Sequence, residues 1–328
     1  MTEPGRIVLL VTSPRLPAGL LTATAWDLVR SGPVFAAAAS DQSAALRSSG
    51  VPVTIIEPDP ERLVQALAEH LSVVWLAGAS GDEDFARRLG LRLAREPALA
   101  ELELCYGSWD PPGARLLDAV AVMDRLASPG GDPWKRQQTH ESLAQYLLEE
   151  SYEAYDAIAG HDLDALREEL GDVLLQVVLH ARLAEELPED ERWNVDDVAG
   201  GLVDKMVRRN PHVFAGENVD SIEDIVDNWE RIKKEEKARV SVLEGIALSQ
   251  PALSLAAKIL HRAERAGLDV ALPDNSGLGA VLLRMVAQAR RDGLDAEALL
   301  RQATLTYAEA IRSAEAGPAA RENVAPAE

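Results

Sequence analysis

Residues 148–153 read LEESYE and residues 168–172 read EELGD, two acidic clusters in a stretch otherwise dense in Leu, Val and Ala. Side chains three apart share one face of a helix, so Glu150 with Glu153, and Glu169 with Asp172, would each present two carboxylates from one helix. At about 100° per residue, Leu143, Leu147, Ala154 and Ile158 mark the apolar face of the first helix, with Glu150 in its middle and Glu153 at its margin. On the second, apolar residues from Leu166 and Leu170 to Leu179 wrap most of the circumference, the mark of a buried helix. One polar stripe remains there, formed by Glu169, Asp172, Gln176 and His180. Counted from residue 161, Glu153 and Glu169 lie seven to eight residues away and Glu150 and Asp172 lie eleven, so the pairs come level on antiparallel helices.

Four carboxylates converging in an apolar bundle repel one another and are costly to desolvate, unless most are protonated or a cation joins them. A divalent metal resolves the conflict, and an all-oxygen donor set favours Mg²⁺, with Mn²⁺ possible, over zinc. A carboxylate-bridged di-iron bundle is the competing reading, but it wants Glu-x-x-His on two helices, and no His stands three after any of these acids. The plainer alternative makes the acids solvated faces of surface helices, which is how Glu141, Glu168 and Glu185 read.

The elements that must position these residues follow from texture. Up to about residue 108, β-rich runs (RIVLLVTS, VFAAAA, VPVTII, SVVWLAG, ELELCYG) alternate with helical ones, which predicts about five strands in a mostly parallel α/β sheet. After SWDPPG the β-rich runs stop, and a mixed fold results: an N-terminal α/β domain followed by an all-α helical bundle. ARLLDAVAVMDRLA is an amphipathic helix that SPGGDPW breaks. From Gln138 to about Glu186 two long helical patterns form an αα-hairpin, with Gly160 suited to a C-terminal cap and Asp162 to an N-cap. VAGGLVDKMVRRN is a further helix stopped by Pro211, SIEDIVDNWERIKKEEKAR another, and the chain from about Val242 is helical with a disordered tail. The expected domains are 1–110, 113–240, 241–316 and the tail 317–328.

The 328 residues are 47% hydrophobic, enough for a substantial core. No apolar run reaches a membrane span, and MTEPGRIVLLVTS has neither a basic leader nor a small-residue cleavage site, so a cytoplasmic protein is expected. The single Cys105 excludes an intramolecular disulfide framework. A net charge of −21 speaks against direct nucleic-acid binding and requires any anionic substrate to be held by a metal or a local basic cluster.

LEESYE followed by EELGD resembles the EExxE and ExxD signature of the all-α nucleoside triphosphate pyrophosphohydrolases, and the surroundings resemble their MazG branch. PWKRQQTHESL at 133–143, DKMVRRNPHVFA at 204–215 and NWERIKKEEK at 228–237 are similar to MazG blocks in the family's order, over roughly residues 113–268. The resemblance implies Mg²⁺-dependent hydrolysis of (d)NTPs to monophosphate and pyrophosphate, as house-cleaning of non-standard or oxidised (d)NTPs, in a homodimer or dimer of dimers. It implies Glu150, Glu153, Glu169 and Asp172 as metal ligands, with Glu149 completing the motif as a base or supporting group. It implies Lys205, Arg209, Trp229 and Lys233 as nucleotide contacts, and Trp134 as a cover for the base or a seal on the bundle. Trp229 as a core aromatic, Arg208 as a surface cation, and His180 and His212 as structural histidines are the plainer readings. The chain departs from the family where Lys135 and Gln137 replace acids. After Gly267, AEALLRQATLTYAEAIRSAE resembles the remnant of a second such domain without its acids. The N-terminal domain resembles a degenerate half of a tetrapyrrole methylase, since TSPRLP offers proline where cofactor loops need glycine. From a different class, the chain reads as an NTP and Mg²⁺ sensor or scaffold with little turnover.

Overall fold

In a computed structural model, residues 5–216, 221–237 and 240–315 are described. The first part alternates strand and helix: β1 (Gly5–Val11), α1 (Ala23–Ser31), β2 (Val34–Ala36), α2 (Asp41–Ser48), β3 (Val53–Ile55), α3 (Pro60–Ala66), β4 (Ser72–Leu76), α4 (Glu83–Arg95) and β5 (Ala100–Tyr106). The strands pair in the order β3-β2-β4-β1-β5, all parallel. The period of two along β1 explains why both faces are covered. Val8 and Leu10 pack with Leu28 and Val29 of α1 and Leu46 of α2, whereas Ile7 and Leu9 pack with Leu63 of α3 and Phe85 and Leu89 of α4. Side-chain oxygens of Thr22, Ser40 and Asp59 cap the first turns of α1, α2 and α3, where orphan N–H groups need acceptors. Gly32 has a packing reason to lack a side chain, because a Cβ there would meet the Ser72 carbonyl oxygen at 2.5 Å.

The loop after β1, expected to lack a cofactor cradle, is tied down by its own charge. Arg15 donates through Nε to both oxygens of Asp118, at 2.8 and 2.9 Å, and pairs as well with Asp110. Ser13 N–H donates to Ser108 Oγ at 2.9 Å. Asp118 belongs to α5 (Arg115–Ala127), so this loop clamps the sheet to the first helix of the bundle.

There follow α6 (His140–Ala159), α7 (Leu163–Ala184), α8 (Val195–Arg209), the short α9 (Pro211–Phe214), α10 (Ile222–Lys237), α11 (Ala252–Arg265), α12 (Leu278–Arg291) and α13 (Ala296–Glu315). Pro211 opens α9 rather than merely stopping α8, as its fixed φ permits at a first helical position. The expected tail 317–328 lies outside the described residues. By compactness the chain divides into residues 1–202 and 203–328, a boundary inside α8. In the first unit Met123 of α5, Leu143 of α6 and Val178 and Leu179 of α7 form the buried centre of the bundle. Arg182 of α7 donates to Asp124 of α5 at 2.7 Å. Among the described residues of the second unit, only Ile246, Val286 and Ala287 are fully buried apolar side chains.

Candidate active site

The α6–α7 hairpin turns where the spacing predicts. Asp162 accepts from the N–H groups of Asp164 and Ala165 at 3.1 and 3.0 Å, and Gly160 occupies the C-cap of α6. The left-handed residue, however, is His161 at φ 56°, not the glycine beside it. Thr139 and Ser142 form a capping box that starts α6. Antiparallel pairing about residue 161 then places Leu143 and Leu179 in one cluster and brings the Nδ1 atoms of His140 and His180 to 2.7 Å.

The same register sets three of the four predicted ligands together. Oxygens of Glu150, Glu169 and Asp172 lie within 4.8 Å of one another, and all three side chains are half-buried. Glu153 stands outside this trio and is exposed, yet its carboxylate acts on Glu169. Glu149 is exposed on the outer side of α6. Desolvation, then the charges of Asp172, Glu153, Glu149 and Glu169, hold the Glu150 carboxyl above the usual range. Glu169 is raised in the same way, first by desolvation and then by Glu153. Three acids this close repel one another. That donor set fits a hard divalent cation: all oxygens, from two rigid helices, at mutually bridging distance.

The surroundings differ from the helical-wheel reading in one respect. Leu147, Ile158 and Leu170, assigned to a core, are 37, 56 and 53% exposed, and α7 is buried only from Gln176 onward. The helix α5 covers α7 at the His180 end, and among the described residues of the first unit nothing covers the apolar residues at the carboxylate end of the hairpin. Periodicity identifies such residues as apolar-facing without saying which molecule they face.

Below the carboxylates the polar stripe continues inward. Gln176 is 4% exposed, with no hydrogen-bond partner for its Oε1, and His180 has an unpartnered buried Nε2. His140 stacks between His180 and Trp193, at ring separations of 5.0 and 6.1 Å. His140 and Trp193 were missed in the sequence; the register that pairs Glu150 with Asp172 would have brought His140 to within two residues of the position opposite His180. Trp134 is half-exposed and meets the edge of Tyr146 at 5.8 Å, with the Lys135 ammonium 5.5 Å from its ring. Asp132 accepts from Trp134 N–H at 2.9 Å and from Lys135 Nζ at 3.2 Å. The acid absent at position 135 thus has a counterpart three residues earlier.

Lys205, Arg209, Trp229 and Lys233 belong to the second unit. Arg209 is buried, with its guanidinium 5.3 Å from the centre of the Trp229 ring. It donates to Glu236 through Nε at 3.1 Å and Nη2 at 2.6 Å, and Arg208 donates to the same carboxylate at 2.5 Å. These two cations pull the Glu236 carboxyl down to about 2. Arg208 is half-exposed, in keeping with a surface cation, but its charge is engaged. Lys205 is half-buried, and Lys233 lines a cavity of about 520 Å³ with Asn228, Arg231, Arg262 and Arg265.

Fold and site together define a parallel α/β domain followed by a helical bundle whose central hairpin carries a cluster of three carboxylates. Residues 138–214 match the MazG nucleotide pyrophosphohydrolase domain. The chain is 36% identical over 222 residues to the nucleoside triphosphate pyrophosphohydrolase/pyrophosphatase MazG of Thermotoga maritima, covering 60% of this chain and 84% of that one. It is 46% identical to the nucleoside triphosphate pyrophosphohydrolase of Mycobacterium tuberculosis, over 62% of this chain and 59% of the relative. A Streptomyces cacaoi protein described as an uncharacterized 26.1 kDa protein in the blaB 3'region is 50% identical, over 66% of this chain and 89% of its own. The chain belongs to the MazG family of nucleoside triphosphate pyrophosphohydrolases. Its match spans 59% of the mycobacterial enzyme's length and 57% of the Escherichia coli one.

Proposed function

We propose that this chain hydrolyses nucleoside or deoxynucleoside triphosphates to the monophosphate and pyrophosphate, using Mg²⁺ held by Glu150, Glu169 and Asp172, with Glu153 as the fourth acid. The observation that carries this reading is the carboxylate trio within 4.8 Å. Bound there, a divalent cation would neutralise the acids and the phosphate oxygens at once, and would stabilise charge that builds on those oxygens. The chain's own residues do the rest. Glu149, next to a ligand in sequence and exposed, is the residue we assign to orient a water and take its proton, or to support the ligands. Lys205 and Lys233 supply positive charge for the phosphates, and Trp134, half-exposed beside Tyr146, offers a face on which a base can stack. We further propose a homodimer or dimer of dimers, because Leu148, Tyr152, Tyr155 and Ile158 are exposed along α6. The house-cleaning of damaged (d)NTPs is the role we assign to this activity.

A second reading has one observation in its favour. Arg209 is buried against Trp229 and engaged by Glu236, so that cation is not waiting for a phosphate, as a sensor that binds NTP without rapid turnover could tolerate. Product analysis separates the two. The purified chain is incubated with normal and oxidised NTPs and dNTPs, with Mg²⁺, with Mn²⁺ and with chelator, beside Glu150→Gln. Monophosphate and pyrophosphate formed only with metal, and not by the variant, are expected. Tight metal-dependent binding without product across the whole panel would replace the hydrolase by the sensor.

A further inference from the structure

The polar stripe of α7 carries groups that the carboxylate chemistry does not use. Gln176 follows Asp172 by one helical turn, about 6 Å along the axis, and is the first buried side chain of α7, where the half-open groove of the acids closes. It is 4% exposed and its Oε1 has no partner, and one turn deeper His180 Nε2 is buried without one as well. The other ring nitrogen of His180 is committed, 2.7 Å from Nδ1 of His140. A buried amide oxygen left unpaired costs the fold free energy, and native chains seldom keep one without a role.

Across the hairpin, the level of Gln176 is fixed from both sides. Glu150 meets Asp172 on one side and Leu143 shares a cluster with Leu179 on the other, so Tyr146, between them on α6, comes about level with Gln176. Tyr146 is the residue whose ring edge meets Trp134. A half-exposed indole and a buried amide with an uncommitted oxygen therefore belong to one level of the hairpin, a single turn from the acids. Flat aromatic surface beside a few uncommitted polar atoms is the combination that selects a nucleobase: stacking holds any base, and hydrogen bonds to its edge choose among them.

We propose that Gln176 is a specificity-determining residue, whose amide reads the edge of the substrate's base while Trp134 holds the base's face. The proposal deepens the hydrolase reading and rests on it for the place of the phosphates at the trio. With the phosphates there, one helical turn is a distance that a ribose spans, and it brings the base to the closed end of the groove. An amide offers an acceptor beside two donors, so it distinguishes bases by the order of amino and keto groups along the edge.

Gln176→Met keeps the length of the side chain and removes the amide. Dissociation constants of the four nucleoside monophosphates are measured by calorimetry with Mg²⁺ for parent and variant, beside product formation from the four triphosphates. The parent should rank the bases, and Gln176→Met should narrow the spread between best and worst about tenfold, the scale of one hydrogen bond that the wrong base leaves unmade. Without ligand the variant should melt no lower than the parent, because an unpaired buried group has gone. Trp134→Ala should instead weaken all four bases alike, as loss of a stacking face does. If Gln176→Met does not fold, Gln176→Glu, which exchanges the amide's donors for an acceptor, answers the same question by changing which base is preferred. An unchanged ranking in the variant, an equal fall for all four bases, or a parent that binds all four alike or none overturns the proposal. A parent that ranks the monophosphates yet forms no product removes the hydrolysis and leaves the reading of the base standing.

Discussion

Glu150 and Glu169 hold their protons more tightly in the folded chain than in the unfolded one, because desolvation and neighbouring acids oppose their ionisation. Their contribution to stability is therefore complete below the ordinary carboxylate range and is lost as pH rises through their raised values. Glu150→Gln should match the parent in thermal stability near pH 4 and become progressively more stable than it toward pH 7 without metal. A constant difference across that window would mean Glu150 titrates normally. With Mg²⁺ present the order should invert, and turnover in Asp172→Asn should fall by at least about a hundredfold, more than is lost with a group that only supports a ligand. Glu236 has the opposite sign. Lowered to about 2 by Arg209 and Arg208, it stabilises the fold above the ordinary carboxylate range and loses that contribution as pH falls toward about 2. Glu236→Gln should thus cost stability at pH 7 and progressively less as pH falls through about 2, as acid titration followed by circular dichroism would record. At this scale the carboxylates were legible, because register about residue 161 needs only helix arithmetic. The engagement of Arg209 by Glu236 was not, since 27 residues separate them and no local period relates them.

The hairpin α6–α7 is the element that turns a spacing into a site, and its two ends are stabilised differently. Asp162 satisfies two N–H groups of α7, so Asp162→Ala should destabilise the protein by about 1 kcal/mol, the worth of an N-cap. His161 holds a left-handed backbone that costs a residue with a Cβ roughly 1 kcal/mol or more, and His161→Gly should raise the denaturant midpoint rather than lower it. A lowered midpoint would show that the imidazole contributes more than the backbone costs. The sequence placed the turn and both its caps, Gly160 and Asp162, while the left-handed backbone at His161 has no signal in residue type, because glycine's freedom is a permission and not a requirement. The amphipathic reading of the two helices erred in a more instructive way. Ile158 and Leu170 follow an apolar period, yet both are more than half exposed, and a period carries no information about whether the covering surface belongs to the same chain.

At the scale of the whole molecule, the alternation of strand and helix made the five parallel strands and both their covered faces readable, since each βαβ step leaves an apolar run of characteristic length. What it did not disclose is the Arg15 clamp, which depends on Asp110 and Asp118 about a hundred residues away in sequence. The thin buried centre of the second unit and the exposed apolar side of α6 lead to one expectation for the assembly. Light scattering should give at least twice the 35.4 kDa chain mass, and Tyr152→Arg with Ile158→Arg should shift it toward the monomer. A parent that is monomeric at micromolar concentration would require those surfaces to face something else. The layout also has a history in time. Every pairing in the parallel sheet joins segments separated by a helix, and such pairings form slowly. The carboxylates, by contrast, meet across one short turn, so their hairpin closes on a helix-hairpin timescale, independently of whether the sheet before it has finished. The carboxylate cluster is therefore assembled early in folding, so a cation binding there would act on the growing bundle as a template and not only on the finished fold.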